Sequence, residues 1–400
     1  MTKSNSNKIR VYMIYCCVMM FTFSLSSSMY SSLAPYIIEY YGTSLTESSL
    51  FTISSSIGNL FVNLVIMRIG DKYDKGKLLA VLCSIMTISL LTIGSAPVIG
   101  AYLIVNCVNG MVGYWLDNLT TAYVSDLYGE DRGRYIGILY TLFAVAGAVA
   151  PTFNTIVLGS LGLQWYGSYK IVGFFMLVTA ASYIAVLLLV GKPETSVITT
   201  EKKPVEKMTV SEMAKNRNML ALILSGITMA FYGYFSSMLP TYFSFTEPDT
   251  YTLVLRNLIL TCFTVGQMIS RFLYVPLARH INPIRYLRMQ SLICSLSSLV
   301  CILINKPAVW MILMLLSGLL NGSSFTMTTV LTVTEYPNNS SSASAARGFA
   351  SGIAYLLATP IMNFIADHVS FFVAMIIPIF FGVLTYFIYK YVYVERTEKA

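Results

Sequence analysis

Charge is scarce in this sequence: Asp, Glu, Lys and Arg together make up 11% of its 400 residues, against about 25% in soluble proteins. With 56% apolar residues and a mean hydropathy of +0.68, a water-soluble globule would have to hide more apolar surface than its volume permits. A cytosolic enzyme is therefore excluded, and lipid is the expected solvent for most of the chain. Histidine is scarcer still. The two, His280 and His368, fall at loop positions without a catalytic partner, and no His or Cys cluster has metal-ligand spacing. Neither an embedded enzyme nor a bound metal or cofactor is expected. Seven cysteines lie inside apolar stretches without CxxC spacing, which argues against a disulfide framework and reads as small buried apolar residues. The +8 net charge comes in short clusters between apolar runs. That is the arrangement of membrane topology, and nucleic acid is not an expected partner.

Long apolar runs fill the rest. At about 20 residues per crossing, ended by charges, Gly or Pro, the chain divides into twelve spans between residues 11 and 392, the last two separated at Asp367-His368. The first run, following Lys3, Lys8 and Arg10, is too long for a signal-peptide core and reads as a retained span. With the amino terminus in the cytoplasm, every lysine and arginine falls on the cytoplasmic side except Lys170, Arg256, Lys306 and the intramembrane Arg271. A bias of that size puts both termini in the cytoplasm and makes the chain a multi-pass protein of the cell membrane. Residues 192–217 are polar and charged and read as a tethering cytoplasmic linker between a six-helix bundle at 1–191 and another at 218–400.

The two halves repeat. Gly58 and Gly266 are 208 residues apart, Gly113 and Gly322 are 209 apart, and so are Asp126 and Glu335; loops closing in Arg132-Gly133 and Arg347-Gly348 follow. Duplicated bundles around a midplane site are a transporter architecture. Together with the stretch Gly70-Asp71-Lys72-Tyr73-Asp74-Lys75-Gly76-Lys77, this resembles the major facilitator superfamily over the whole chain. Asp71, Lys72 and Lys75 match that family's loop signature, while Asp74 stands where Gly is usual. Gly113 to Asp117, Ser125 to Gly133 and Phe143-x3-Gly147-x3-Pro151 are similar to the fucose-permease-like sugar symporters, although Thr121 and Tyr140 replace that branch's Asn and His. The resemblance implies an all-α membrane protein with twelve transmembrane helices in two pseudo-symmetric six-helix bundles. It also implies a cytoplasmic gate built from Asp71, Lys72, Lys75, Asp126, Arg132, Glu335 and Arg347. A phosphate-binding loop is excluded at the same stretch, because five residues separate Gly70 from Gly76-Lys77 and Leu78 replaces the magnesium-binding hydroxyl.

Among the acidic residues Asp117 alone is deep, about ten residues or 15 Å from the end of its span. A carboxylate there is costly unless it faces water, finds a partner or takes a proton. Asn106, Gly110, Gly113, Asp117 and Thr121 recur at helical spacing with Asn109 beside them, which predicts a face lining a polar cavity. Asp117 is thus the expected proton-coupling group and part of the substrate site, with sodium as the other cation a carboxylate could bind. Tyr30, Asn109, Thr121, Tyr140, Tyr232, Tyr234, Gln267, Asn321 and Asn363 lie at similar depth, and their amides and phenols suit a hydroxyl-rich solute; the same groups also bind membrane helices together. Arg271 either reaches back to the cytoplasmic surface or contacts an anionic solute. Pro35, Pro151, Pro240 and Pro360 mark expected kinks.

These residues predict a secondary active transporter working by alternating access: proton-coupled symport of a sugar or other small polar solute, by a monomer in the bilayer. An antiporter for drugs or organic anions, and a solute sensor without transport, are the competing readings.

Overall fold

A computed structural model describes residues 3–69, 74–128, 132–191, 193, 210–277, 280–336 and 340–394. Among them there is no strand. The chain divides into two compact units, residues 1–43 with 50–200, and residues 44–49 with 201–400.

The first unit holds α1 (Lys3–Ser28), α2 (Tyr30–Tyr41), most of α3 (Leu45–Ile69), α4 (Lys75–Thr92), α5 (Ile99–Tyr128), α6 (Arg132–Thr155) and α7 (Trp165–Leu189). The second holds the short α8 (Val210–Met213), α9 (Arg217–Ser237), α10 (Leu239–Thr246), α11 (Leu253–Leu277), α12 (Pro283–Ile304), α13 (Pro307–Asn321), α14 (Ser324–Glu335), α15 (Ser340–His368) and α16 (Phe371–Phe387). Pairs α1/α2, α9/α10 and α13/α14 each continue one crossing, with helical hydrogen bonds carried through the bends at Met29 and Met238. Among the described residues eleven helices are long and apolar enough to span a bilayer, and the 25-residue α3 occupies the place of the twelfth. Outward-facing side chains are apolar: Leu188 and Leu189 are 77% and 85% exposed, which only lipid makes tolerable.

Helices cross at glycine in both units. A Cβ at Gly58 would stand 2.5 Å from the Cys107 carbonyl oxygen, and one at Gly110 would stand 2.6 Å from that of Ser55, so α3 and α5 touch backbone to backbone. Gly266 against Leu315 and Leu319, and Gly318 against Phe263, do the same for α11 and α13. Small residues at such crossings replace the hydrophobic effect, which is absent between helices in lipid, with close packing. The match of Gly58 with Gly266 thereby has a physical meaning, and Gly110 with Gly318 extends it at the same separation of 208.

Two N-caps repeat as well. Asp74 accepts from the Lys77 amide at the start of α4, and Asn282, 208 residues on, accepts from the Ile284 and Arg285 amides at the start of α12. Asp74, which departs from the family signature, therefore has a structural role: capping exposed helix amides.

Most of the helix boundaries within crossings do not fall at prolines. Pro151 and Pro360 lie inside the unbroken α6 and α15, and Pro35 lies within α2, with the bend upstream at Met29. Asn154 holds that bend, donating to the Met29 carbonyl at 3.1 Å and the Ser32 hydroxyl at 2.6 Å. Only Pro240 sits beside a bend, at the second position of α10. The α13/α14 interruption contains no proline; it falls in Asn321-Gly322-Ser323-Ser324, where turn-forming residues meet. Freed carbonyls there are taken by side chains: Tyr286 Oη donates to Leu320 O at 2.8 Å, and Arg271 Nε to Gly322 O at 3.3 Å. Unpaired backbone groups at membrane depth are costly, so such partners are required.

In the second unit the first turn of α3 is capped by Asp367, whose carboxylate accepts from the Thr46 amide at 2.6 Å and the Leu45 amide at 3.3 Å. The negative charge complements the positive end of the helix.

Candidate functional site

Asp117 lies on α5 about 16 Å of helix rise from Tyr128, deep within a membrane-spanning segment. Its carboxylate accepts one long hydrogen bond, from Tyr140 Oη on α6 at 3.4 Å, and no cation lies within ion-pair distance among the described residues. Tyr140 is 41% exposed, and Thr121, one turn beyond Asp117, lies beside the same phenol. Aromatic rings continue from there: Tyr140 to Phe143 at 6.4 Å, Phe143 to Phe23 at 5.9 Å, and Phe23 to Tyr114 at 5.7 Å. The first unit thus brings a carboxylate, a phenol and a hydroxyl together beside an aromatic floor. That combination hydrogen-bonds hydroxyls and packs C–H surface.

The rest of the expected polar stripe has other duties. Asn106 donates to Phe51 O at 2.6 Å and Ser54 Oγ at 2.9 Å, Gly110 is pressed on Ser55, Gly113 on the Phe23 ring, and Asn109 accepts from Ser89 at 3.2 Å. A continuous cavity-lining face is therefore replaced by helix packing through most of its length, with Asp117 and Thr121 left at its end. Helical spacing identified the face correctly as polar but could not tell a cavity from a neighbouring helix. Tyr30, the first residue of α2, lies just past the bend at Met29 and is half-buried.

In the second unit, Tyr232 is buried and bonded to Ser298 at 3.0 Å, and Tyr234 donates to Asn363 at 2.7 Å. Asn363 in turn donates to Leu45 O at 2.8 Å. These groups are occupied by internal hydrogen bonds. Asn154 and Asn363 stand 209 apart, both fully buried, each bridging to a carbonyl on another helix; neither signal was visible as a repeat in sequence. Asn321 accepts from Gln290 at 3.2 Å, and Gln267 is half-buried one turn from Arg271.

Of the expected gate residues, Lys75 and Asp126 form an ion pair at 2.6 Å that ties α4 to α5. Glu335, the counterpart of Asp126, accepts from Asn218 Nδ2 at 2.9 Å and from Tyr393 Oη at 3.3 Å. Arg347 is the second residue of the apolar span Ala346–His368 and is buried. It donates to Thr328 and Thr329 at 2.7 and 3.0 Å and faces the Phe325 ring. Asp71 and Lys72 lie outside the described residues, as does the side chain of Arg132. Most of the expected linker, 194–209, is also outside them.

An all-helical chain of repeated six-crossing halves, with a carboxylate at membrane depth, defines a multi-pass membrane transporter. The chain belongs to the Major Facilitator Superfamily, whose family profile matches residues 16–255 and 248–400. This is a family of transporters, not enzymes. No curated protein matches the sequence. Two similar solved structures are a bacterial homolog of the human lysosomal transporter Spinster, in an inward-facing and occupied conformation, and a point mutant of the nucleoside transporter NupG. The first is 13% identical with a TM-score of 0.75, covering 95% of this chain and 96% of that one. The second is 13% identical with a TM-score of 0.74, covering 96% and 100%. At that identity the likeness is one of fold.

Proposed function

We propose that this chain is a proton-coupled secondary active transporter that moves a small hydroxyl-bearing solute across the cell membrane by alternating access, with both termini cytoplasmic. Asp117 carries the proposal. A carboxylate on a membrane-spanning helix, with one weak phenolic donor and no cationic partner among the described residues, is uncompensated when ionised. Taking up a proton removes that charge, and release restores it, so each change of access carries a proton through the group. Tyr140 positions the carboxylate and supplies a hydroxyl to the solute. Tyr114 and Phe143, both partly exposed, offer ring surface to its C–H groups, with the buried Phe23 packed behind them. Lys75 with Asp126 serves as the cytoplasmic clasp of the first half.

The test is uptake of radiolabelled sugars and organic acids into liposomes under imposed pH or sodium gradients. An inward proton gradient drives accumulation by the wild type, and Asp117→Asn lowers that accumulation at least about 100-fold while leaving gradient-independent exchange in place. Accumulation driven only by an outward proton gradient would identify an antiporter. Wild-type rates in Asp117→Asn across the pH range overturn the proposal.

A further inference from the structure

Resting on the transporter reading above, we infer that the second unit has a binding site for a small anion, a carboxylate or phosphate, formed by Arg271 with the amides of Gln267 and Asn321. Arg271 is on α11, about one turn from the end of the apolar span Leu253–Tyr274, where a long side chain can reach the membrane surface. Its Nε donates to the Gly322 carbonyl, freed by the interruption between α13 and α14. This one bond fixes the guanidinium plane. It leaves the edge carrying the two Nη nitrogens, and among the described residues no carboxylate, carbonyl or hydroxyl takes them.

The neighbouring amides are in the same condition. Gln267 precedes Arg271 by four residues, hence on the same face of α11, and its side-chain amide has no hydrogen-bond partner among the described residues. Asn321, next to Gly322, receives a bond from Gln290 on its oxygen, and its Nδ2 donates to none of the described residues. Elsewhere in this unit the scaffold takes up the ends of comparable side chains, although the Arg347 Nε is buried without a partner among the described residues. Gln290 is bonded at both ends, to Asn321 and Ser324, and Arg217 donates to the carbonyls of Tyr391 and Val392. Arg347 has its two threonine hydroxyls. Three donor groups left open together, around one oriented guanidinium, match a planar or tetrahedral oxyanion: Arg271 supplies the two-pronged contact and the amides the flanking bonds. A lysine could supply the charge but not the fork. Phosphate chemistry could also come from a lipid headgroup at the same depth, so the experiment separates the two sources.

Full-length protein in detergent micelles is titrated with gluconate, with glucose as the uncharged molecule of the same skeleton, and with inorganic phosphate, each against sodium chloride of equal ionic strength, following thermal unfolding. The expected result is concentration-dependent stabilisation by gluconate or phosphate and not by glucose, with the half-effective concentration raised at least about tenfold in Arg271→Gln. Gln267→Leu raises it less, by about threefold. If Arg271→Gln is not recovered folded, Arg271→Lys carries the test, because it keeps the charge and loses the fork; affinity unchanged in that variant overturns the inference. So does equal stabilisation by glucose, no stabilisation by either anion, or stabilisation by added phosphatidylglycerol alone. Binding in micelles needs no gradient, so Asp117→Asn separates the two readings. Anion-dependent stabilisation that persists while Asp117→Asn transports normally removes the proton role and leaves this one standing, and loss of coupling without any anion effect does the reverse.

Discussion

In the first unit the charge uncompensated at membrane depth is a carboxylate, Asp117; the residues 208 and 209 places further on, in the second unit, are Phe325 and Thr326. The second unit carries arginine instead, at Arg271 and Arg347 near the ends of their apolar spans, and Phe325 lies under the Arg347 guanidinium at 5.2 Å. Helix crossings show no such divergence. Gly58 with Gly110 and Gly266 with Gly318 repeat, as do the Asp74 and Asn282 caps and the buried Asn154 and Asn363. Packing is what the duplication kept and charge is what it redistributed. A scaffold can keep its crossings while the groups that meet a solute change sign.

The sharpest way to break this comparison is at the crossings. Valine at Gly58 or at Gly266 puts side-chain atoms into backbone that cannot move aside, and each is expected to cost about 3 kcal/mol or prevent recovery of folded protein, equally in both halves. Recovery and thermal unfolding in detergent measure it, and a tolerated valine in one half alone would mean that the crossings are not equivalent. Next in size is Tyr234→Phe, which leaves the buried Asn363 oxygen without its 2.7 Å donor and should lower stability by about 2 kcal/mol with solute affinity unchanged. Tyr140→Phe should show the opposite: unfolding within about 0.5 kcal/mol of wild type, because its hydroxyl is exposed and its bond long, with KM raised several-fold in liposome uptake. If the two phenols behave alike, the division between a packed and a solute-facing tyrosine fails. Asp74→Ala and Asn282→Ala should each cost about 1 kcal/mol in the same unfolding assay, as cap losses do. Lys75→Gln is the mildest. Its ion pair with Asp126 is partly open to solvent, so about 0.5 kcal/mol is expected, fading toward zero in about 1 M salt.

The crossings, their number and the repeat were legible in the sequence because lipid imposes one rule on every span: about 20 uncharged residues, with charge only at the ends. Asp117 was legible for the same reason, as the exception. Bends within crossings were not. Proline announces a missing amide, yet Pro151 and Pro360 are accommodated within unbroken helices, while Met29 bends its crossing and Gly322-Ser323 interrupts its own, where Asn154, Tyr286 and Arg271 stand ready to accept the consequence. That readiness is tertiary. The stripe on α5 failed similarly: Asn106 and Asp117 share a face, and only the position of α3 decides that one meets a helix and the other a phenol. Polarity at a given depth is written in the chain, but whether a protein group or a solute satisfies it is not.

Backbone laid directly on backbone leaves no cushion of side chains to rearrange. Sliding α3 along α5 by one residue, or α11 along α13, would drive a methylene into a peptide oxygen, so each couple has a single register and behaves in the bilayer as one stiff plank.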